Sequence, residues 1–185
     1  MKTNFFNPLL FLAFVVLSMT ACKKEDPAAA DENELITTVR LKFTQGTTVQ
    51  TFEYKDIDGD GGAAPSKFDR VTLKPNTTYT LAVEFLDESK TPIVNATEEI
   101  SKEKDEHLIV FTPAPATLLT YTYGDKDSKN LNVGLTGTAK TLAAGTGTLR
   151  VQLRHQPPIG GIAAKNGTIT PGSDDVNLNF NLTVQ

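Results

Sequence analysis

The last segment of the chain alternates apolar and polar residues without a break. From Val176 to Val184 every second residue is apolar, and the residues between them are asparagine or threonine. Successive side chains of a β-strand point to opposite faces of a sheet, so this pattern predicts a strand with one buried and one solvated face. The same alternation recurs in 35–44, 79–85 and 149–154. A chain with this pattern is expected to fold as packed antiparallel sheets.

Shorter segments of the same kind are separated by residues that favour turns, such as Lys74-Pro75-Asn76. Further strands are predicted at 48–54, 68–73, 93–100, 107–111, 118–123 and 131–138. The only stretch with helical character, 98–106, is short and highly charged, so no substantial helix is expected. About ten strands of this type predict an all-β fold, an antiparallel immunoglobulin-like β-sandwich. We favour one domain, 34–185, over two small halves divided near 112–115.

One segment predicts a specific structural contact. Leu73-Lys74-Pro75-Asn76-Thr77-Thr78-Tyr79 resembles the Leu-x-Pro-x-Thr-x-Tyr corner of fibronectin type III and related immunoglobulin-like domains. The resemblance implies that the Tyr79 hydroxyl bonds to the backbone of its own corner. Fewer strands precede this corner than in that family, so the resemblance covers the corner alone and gives Tyr79 a structural role.

The first 21 residues have the layout of a secretory signal peptide. Lys2 is followed by an apolar run at 9–17 and by small residues up to Ala21. The run is shorter than the roughly 20 apolar residues that a membrane-spanning helix needs. A signal peptide is therefore preferred to a permanent transmembrane anchor.

The single cysteine, Cys22, lies where the apolar run gives way to charged residues. Ala21-Cys22 resembles a bacterial lipobox, with Met19 where leucine is typical. The resemblance implies that a diacylglyceryl group is attached to the Cys22 thiol, that the chain is cut before it, and that the new terminus gains a further acyl chain. Two or more chains give a stable membrane anchor. Residues 22–33 are then a lipidated cysteine followed by a flexible tether.

The charged segment Lys23-Lys24-Glu25-Asp26 resembles the export signal of surface lipoproteins in Bacteroidota. It implies an outer-membrane protein that faces the outside, with the periplasmic face as the alternative. Taken together, the lipobox, the acidic spacer, the Asp-rich loop and the closing strand resemble a family of small Bacteroidota lipoproteins. Chains of this kind are sometimes labelled as type 1 periplasmic-binding proteins, but that fold alternates strands with helices and the pattern here does not. The resemblance implies no particular activity.

The charge balance excludes one class of partner. Removal of residues 1–21 takes away one lysine and no acidic residue, which leaves 17 basic and 22 acidic side chains and a net charge of −5. Nucleic-acid binding requires a strongly basic surface, so no nucleic-acid partner is expected.

An Asp-rich loop is the first candidate metal site. Asp56, Asp58 and Asp60 alternate with other residues and are followed by glycines, a pattern that can wrap oxygen ligands around calcium. The EF-hand motif requires a glutamate at its twelfth position, where this chain has Lys67, so the full motif fails. Two interpretations stay open. The loop binds calcium with an incomplete EF-hand ligand set and so stabilises the fold, or it is a plain polar turn.

The two histidines are the second candidate site. His107 begins a predicted strand and His155 ends another, each in phase with apolar neighbours. If both strands end at the same rim of the sandwich, the pair could bind zinc together with a nearby acid, or bind haem as axial ligands. The alternative is that each histidine forms a hydrogen bond with a neighbouring loop.

Enzymatic activity is not expected. The chain contains neither Gly-x-Ser-x-Gly nor His-Glu-x-x-His, and neighbouring acids such as Asp174 and Asp175 are expected to point to opposite faces of their strand. Glycan binding is an alternative, although the chain has no tryptophan, and its candidate stacking residues are Tyr54, Tyr121 and Tyr123.

The connection 156–172 is unusually long for a compact domain, and long connections are often functional. Ile159 and Ile162 within it predict contact with a partner or, alternatively, packing against the sandwich.

The expected function is a lipid-anchored, non-enzymatic binding or interaction module of the cell envelope, whose partner is an envelope protein or a small ligand. The alternatives are capture of a metal or haem by the histidines and accessory glycan binding.

Overall fold

A computed structural model describes residues 35–59 and 62–185, which belong to one compact unit, Asn33–Gln185. The predicted signal peptide, Cys22, the tether and Asp60 lie outside the described residues. Within the described ranges, no helix is long and apolar enough to cross a membrane.

Ten strands and one short helix make up the described part of the chain. They are β1 (Thr38–Gln45), β2 (Thr48–Lys55), β3 (Lys67–Phe68), β4 (Val71–Leu73), β5 (Thr78–Leu86), α1 (Ala96–Lys102), β6 (His107–Ala114), β7 (Leu119–Tyr123), β8 (Thr136–Thr141), β9 (Gly145–His155) and β10 (Ser173–Val184).

The strands form two sheets, in the orders β3-β2-β1-β5-β8-β7 and β4-β10-β9-β6. This arrangement confirms the predicted all-β sandwich. Every pair of neighbouring strands is antiparallel except β4 and β10, which run parallel. The parallel pair arises because the predicted strand 68–73 is divided: β3 ends at Phe68 in one sheet, and β4 begins at Val71 in the other.

The core lies between the sheets and consists largely of the apolar positions that the alternation predicted. Leu41 and Phe43 of β1 face Phe180 and Leu182 of β10, and all four are completely buried. Strand β6 continues through Pro113 and Ala114 and remains paired with β9, so the alternative boundary near 112–115 would fall within a paired strand. Burial of these apolar faces is the main stabilising contribution to the sandwich.

Two predicted strands are not formed as expected. The strand predicted at 93–100 is instead helix α1, in which Ala96 and Ile100 are buried one helical turn apart. In the segment predicted as strand 131–138, only its last residues belong to β8. The preceding part is a loop, held because the Asp125 carboxylate accepts hydrogen bonds from the backbone N–H groups of Gly134 and Leu135 at 2.8 and 2.9 Å.

Tyr79 lies in the corner between the sheets and is buried. Its hydroxyl accepts a hydrogen bond from the backbone N–H of Lys74 at 3.0 Å, the contact that the corner motif predicts.

We expect Tyr79→Phe to lower the free energy of unfolding by about 1–2 kcal/mol, because the Lys74 N–H loses its partner in a partly buried place. Urea unfolding measures this loss. Tyr121→Phe is the control: its hydroxyl makes a longer contact of 3.4 Å, to the carbonyl oxygen of Gly134, so a smaller loss is expected.

Candidate metal centre at the rim of the sandwich

The two histidines meet at one end of the four-stranded sheet. His107, the first residue of β6, lies directly opposite His155, the last residue of β9. Their rings are stacked, with centroids 4.8 Å apart and planes 8° from parallel. The two strands therefore end at the same rim, which was the condition for a joint site.

The hydrogen bonding of His107 determines which of its nitrogens can bind an ion. Its Nδ1 lies 3.1 Å from the backbone carbonyl oxygen of Glu103, and a carbonyl oxygen can only accept, so Nδ1 carries the proton. The lone pair of a neutral ring is then on Nε2, which lies 4.0 Å from Oδ2 of Asp175. Burial lowers the pKa of His107 to about 4, so the ring is neutral near pH 7. Metal-binding histidines commonly have this arrangement, in which the second ring nitrogen donates to a carbonyl.

Asp175 reaches the histidines because β10 contains a bulge. The pairing with β9 shifts between Asp174 and Val176, so Asp175 is an extra residue in the strand. A bulge changes the direction of a side chain, and the Asp175 side chain is 1% exposed whereas that of Asp174 pairs outside with Arg154 at 2.7 Å. Sequence analysis missed Asp175 as a site residue, because strict alternation cannot locate a bulge.

His107, His155 and Asp175 together form a set that can hold a metal ion. One ligand atom from each lies within 4.8 Å of the others. In a tetrahedral zinc site, ligand atoms are about 3.4 Å apart, given metal–ligand distances of about 2.1 Å. Side-chain movements of about 1 Å, together with a tilt of the two rings out of their parallel stack, would therefore bring the three ligand atoms around one ion. Two histidines and a carboxylate leave one coordination position open.

A cavity of about 460 Å³ adjoins this centre and shares Asp175 with it. It opens between the two sheets, and its wall includes Asp56 at the end of β2 and apolar residues of β1 and β10. Asp56 is 5% exposed; its Oδ2 accepts a hydrogen bond from the Tyr54 hydroxyl at 3.1 Å. Its Oδ1 is buried and accepts none from the described residues. Buried carboxylate oxygens without a donor are costly, so a cation in this cavity would stabilise Asp56.

The Asp-rich loop extends from the same cavity. Asp58 accepts a hydrogen bond from the Ala63 N–H at 2.7 Å. This bond and the N–H of Asp58 itself lower the pKa of the Asp58 carboxyl, which lies beside the Asp56 carboxyl. Asp56 and Asp58 thus lie close together, but Asp60 is outside the described residues, and calcium binding by this loop stays a prediction.

The geometry does not favour the two other ligands that the sequence suggested. Axial ligands bind a haem iron from opposite faces of the macrocycle, which the stacked rings of His107 and His155 cannot do. For glycans, Tyr54 is buried beside the cavity, and Tyr121 packs at 4.5 Å against Phe111. Tyr123 donates its hydroxyl proton to the carbonyl oxygen of Ile109. None of the three tyrosines is an open stacking surface.

The long connection 156–172 is anchored at its base and exposed at its tip. Lys165 is buried, with its Nζ 2.9 Å from Oδ2 of Asp127 and 2.8 Å from the carbonyl oxygen of Lys104. Ile159 and Ile162 are 75% and 76% exposed, so they do not pack against the sandwich.

Comparisons with protein-family models, with curated proteins and with solved structures found no match to this chain.

Proposed function

We propose that the protein is a lipid-anchored, non-enzymatic binding protein of the cell envelope and that it binds a divalent transition-metal ion through His107, His155 and Asp175. The anchor is the lipid predicted on Cys22, and the outer face of the outer membrane is the proposed location. The observation that carries metal binding is the arrangement of His107: its Nδ1 proton is held by a carbonyl oxygen, and its Nε2 faces a buried carboxylate.

That arrangement favours an ion between the two groups. Nε2 of His107 offers a lone pair, and the Asp175 carboxyl oxygen beside it is a second ligand atom in the same buried place. Their separation of 4.0 Å is too long for a shared proton to form a good hydrogen bond. A metal ion would bind both atoms and bring them closer, and it would also attract the neighbouring Asp56 carboxylate across the cavity.

The ligand types indicate which ion is preferred. Imidazole nitrogen suits zinc, copper, iron and nickel, whereas calcium and magnesium prefer oxygen ligands only. We therefore propose zinc or a similar ion at the histidine centre. Calcium remains the proposal for the separate Asp56–Asp58 loop, where the near ligands are oxygens.

A calorimetric titration of the chelator-treated protein with zinc tests the centre. We expect one zinc per chain, and we expect Asp175→Asn to weaken the affinity at least tenfold because it removes the only anionic ligand. Asp174→Asn is the matched control: the neighbouring carboxylate pairs with Arg154 on the outside, so this variant should bind zinc as the parent does.

Cobalt(II) supplies a readout of the ligand set itself. Tetrahedral cobalt bound by nitrogen and oxygen gives visible absorption bands, and these should appear in the parent and in Asp174→Asn but be lost in His107→Ala. No zinc binding by the parent protein, or equal affinities for the Asp174 and Asp175 variants, would contradict the proposed centre. A calcium titration in parallel reports on the Asp-rich loop, since Asp58→Asn should affect calcium and leave zinc binding unchanged.

A further inference from the structure

The exposed apolar side chains are concentrated at one end of the sandwich. Among the described residues, nine large hydrophobic side chains are exposed, and seven of them lie before β1 or in the connections that follow β2, β5 and β9. These seven, which we call the apolar end, are Leu35, Ile57, Ile93, Val94, Ile159, Ile162 and Ile169. The other two are Val49, in the turn at the opposite end, and Phe68, which packs against the rings of Tyr54 and Phe180.

The pairing of the strands places these connections together. The beginning of β1 pairs with the ends of both β2 and β5, so Leu35, Ile57 and the 87–95 connection share one end of the six-stranded sheet. The cavity wall contains both Leu35 and Asp175, so the beginning of β10, where the 156–172 connection ends, lies at that same end. Isolated exposed apolar residues are ordinary, but their concentration at one end marks an interaction surface.

Ile159 and Ile162 project from this end on a defined support. They form a two-residue hairpin, in which each backbone N–H donates to the carbonyl oxygen of the other, at 2.8 and 3.0 Å. Gly160 and Gly161 form the turn with φ values of 59° and 78°, which glycine adopts without strain. The buried Lys165–Asp127 ion pair holds the base of the connection. Because the backbone of this hairpin is already fixed, the hairpin loses little conformational entropy when another surface buries Ile159 and Ile162.

The tether leaves the sandwich from the same end. Leu35, the first described residue, belongs to the apolar end, and twelve residues separate it from Cys22. The thirteen residue-to-residue steps from Cys22 to Leu35 span at most about 47 Å when the chain is fully extended, and about 20 Å when it is a flexible coil. Strand β10, with 12 residues, is about 40 Å long. If Cys22 is lipidated, as proposed above, the apolar end is therefore the end of the sandwich from which the chain runs to the bilayer.

We infer that the apolar end docks on the lipid bilayer to which the chain is anchored, with Ile159 and Ile162 entering the interface between headgroups and acyl chains. The inference rests on the proposed anchor but adds an orientation: the rim with the histidines and the cavity faces the membrane, and the turn that contains Val49 faces away. Short apolar projections beside a lipid anchor are a known physical means of holding a protein on a membrane surface.

The absence of tryptophan from the chain makes a clean test possible, because one introduced tryptophan is the only strong reporter. Ile159→Trp places it at the tip, and Val49→Trp, at a position that is 57% exposed at the opposite end, is the matched control. Each lipidated protein is reconstituted in phosphatidylcholine–phosphatidylethanolamine vesicles with and without brominated acyl chains. We expect a blue-shifted emission and at least twofold quenching at position 159, and neither effect at position 49.

Three results would overturn the inference, and they are distinguishable from one another. If the protein floats with the vesicles and carries the diacylglyceryl group by mass spectrometry, but both tryptophans are equally unquenched, the docking is wrong and the anchor stands. A blue shift at position 159 without quenching by brominated lipid would also refute it, since it would indicate a second protein chain at the apolar end. If Cys22 carries no lipid, both the anchor and the docking fail.

Discussion

Replacing Lys165 with methionine is expected to lower the free energy of unfolding by about 3–5 kcal/mol. The side chains of Lys165 and Asp127 are both completely buried, and their charged atoms are 2.9 Å apart. Burial lowers the pKa of Lys165, and Asp127 opposes that effect. Burial alone would raise the pKa of Asp127, but Lys165 and the backbone N–H groups of Leu131 and Lys129 together lower it. Methionine fills a similar volume but leaves the Asp127 charge buried without its counter-ion.

Urea unfolding followed by circular dichroism measures this loss, and two further variants separate its causes. Lys42→Met removes an ion pair with Glu84 at 3.0 Å whose lysine is 39% exposed, and it should cost less than about 1 kcal/mol. The double variant Asp127→Asn with Lys165→Met removes both charges and should recover part of the stability, because no buried charge is then left alone. A loss for Lys165→Met as small as that for Lys42→Met would show that the pair does not hold the 156–172 connection.

Acidification of the metal-free protein from about pH 6.5 to pH 4 is expected to remove about 3 kcal/mol of stability through His107, at about 1.4 kcal/mol per pH unit. Burial lowers the pKa of this ring from 6.5 to about 4. Within that interval the unfolded chain binds a proton at His107 that the folded chain does not bind, so the unfolded state is favoured as the pH falls. Above pH 6.5 both states are neutral at this position and the contribution is constant.

The groups around His107 affect the pKa in opposite directions. Burial is the largest cause of the decrease, and the charges of His155 and Lys165 add to it. The carbonyl oxygen of Glu103 and the carboxylate of Glu99 oppose it. Because the ring is 2% exposed, solvent screens these effects only weakly.

Chemical unfolding at half-unit steps of pH, in the presence of a chelator, measures the slope. His107→Gln keeps a side chain that can donate to the Glu103 carbonyl oxygen but does not titrate, so its stability should fall less steeply between pH 6.5 and pH 4. Equal slopes for the parent and this variant would mean that His107 is protonated in the folded protein. The carboxylates titrate in both proteins and cancel in the comparison.

The strands were largely predictable because their cause is local. The alternation from Val176 to Val184 predicts which side chains face the core, and four of these five apolar side chains are buried while Leu178 is partly buried. The corner contact of Tyr79 was also predictable, because the residues that form it are five positions apart. By contrast, Ile93 to Ile100 contains apolar residues that suit either a strand or a helix. The helix is favoured by a tertiary contact with the end of β5, where the backbone N–H of Phe85 donates a hydrogen bond to the hydroxyl of Thr97 in α1 at 2.8 Å.

The candidate site was predictable in part. The phase of His107 and His155 with their apolar neighbours indicated that both point inward at the ends of strands. Their third member, Asp175, was not predictable, because it depends on one extra residue in β10 relative to β9. Pairing register is a property of two strands together, and neither strand contains it alone.

The sequence by itself determined the period of the strands, the acidic balance, and the single cysteine on which the proposed anchor depends. The tertiary structure alone decided which side chains meet: the stacked histidines with Asp175, the buried pair of Lys165 and Asp127, and the collection of exposed isoleucines at one end. The physical reason is distance along the chain. Alternation and turns arise between near neighbours, whereas His107 and Asp175 are 68 positions apart and Lys165 and Asp127 are 38 apart, and only the tertiary structure brings them together.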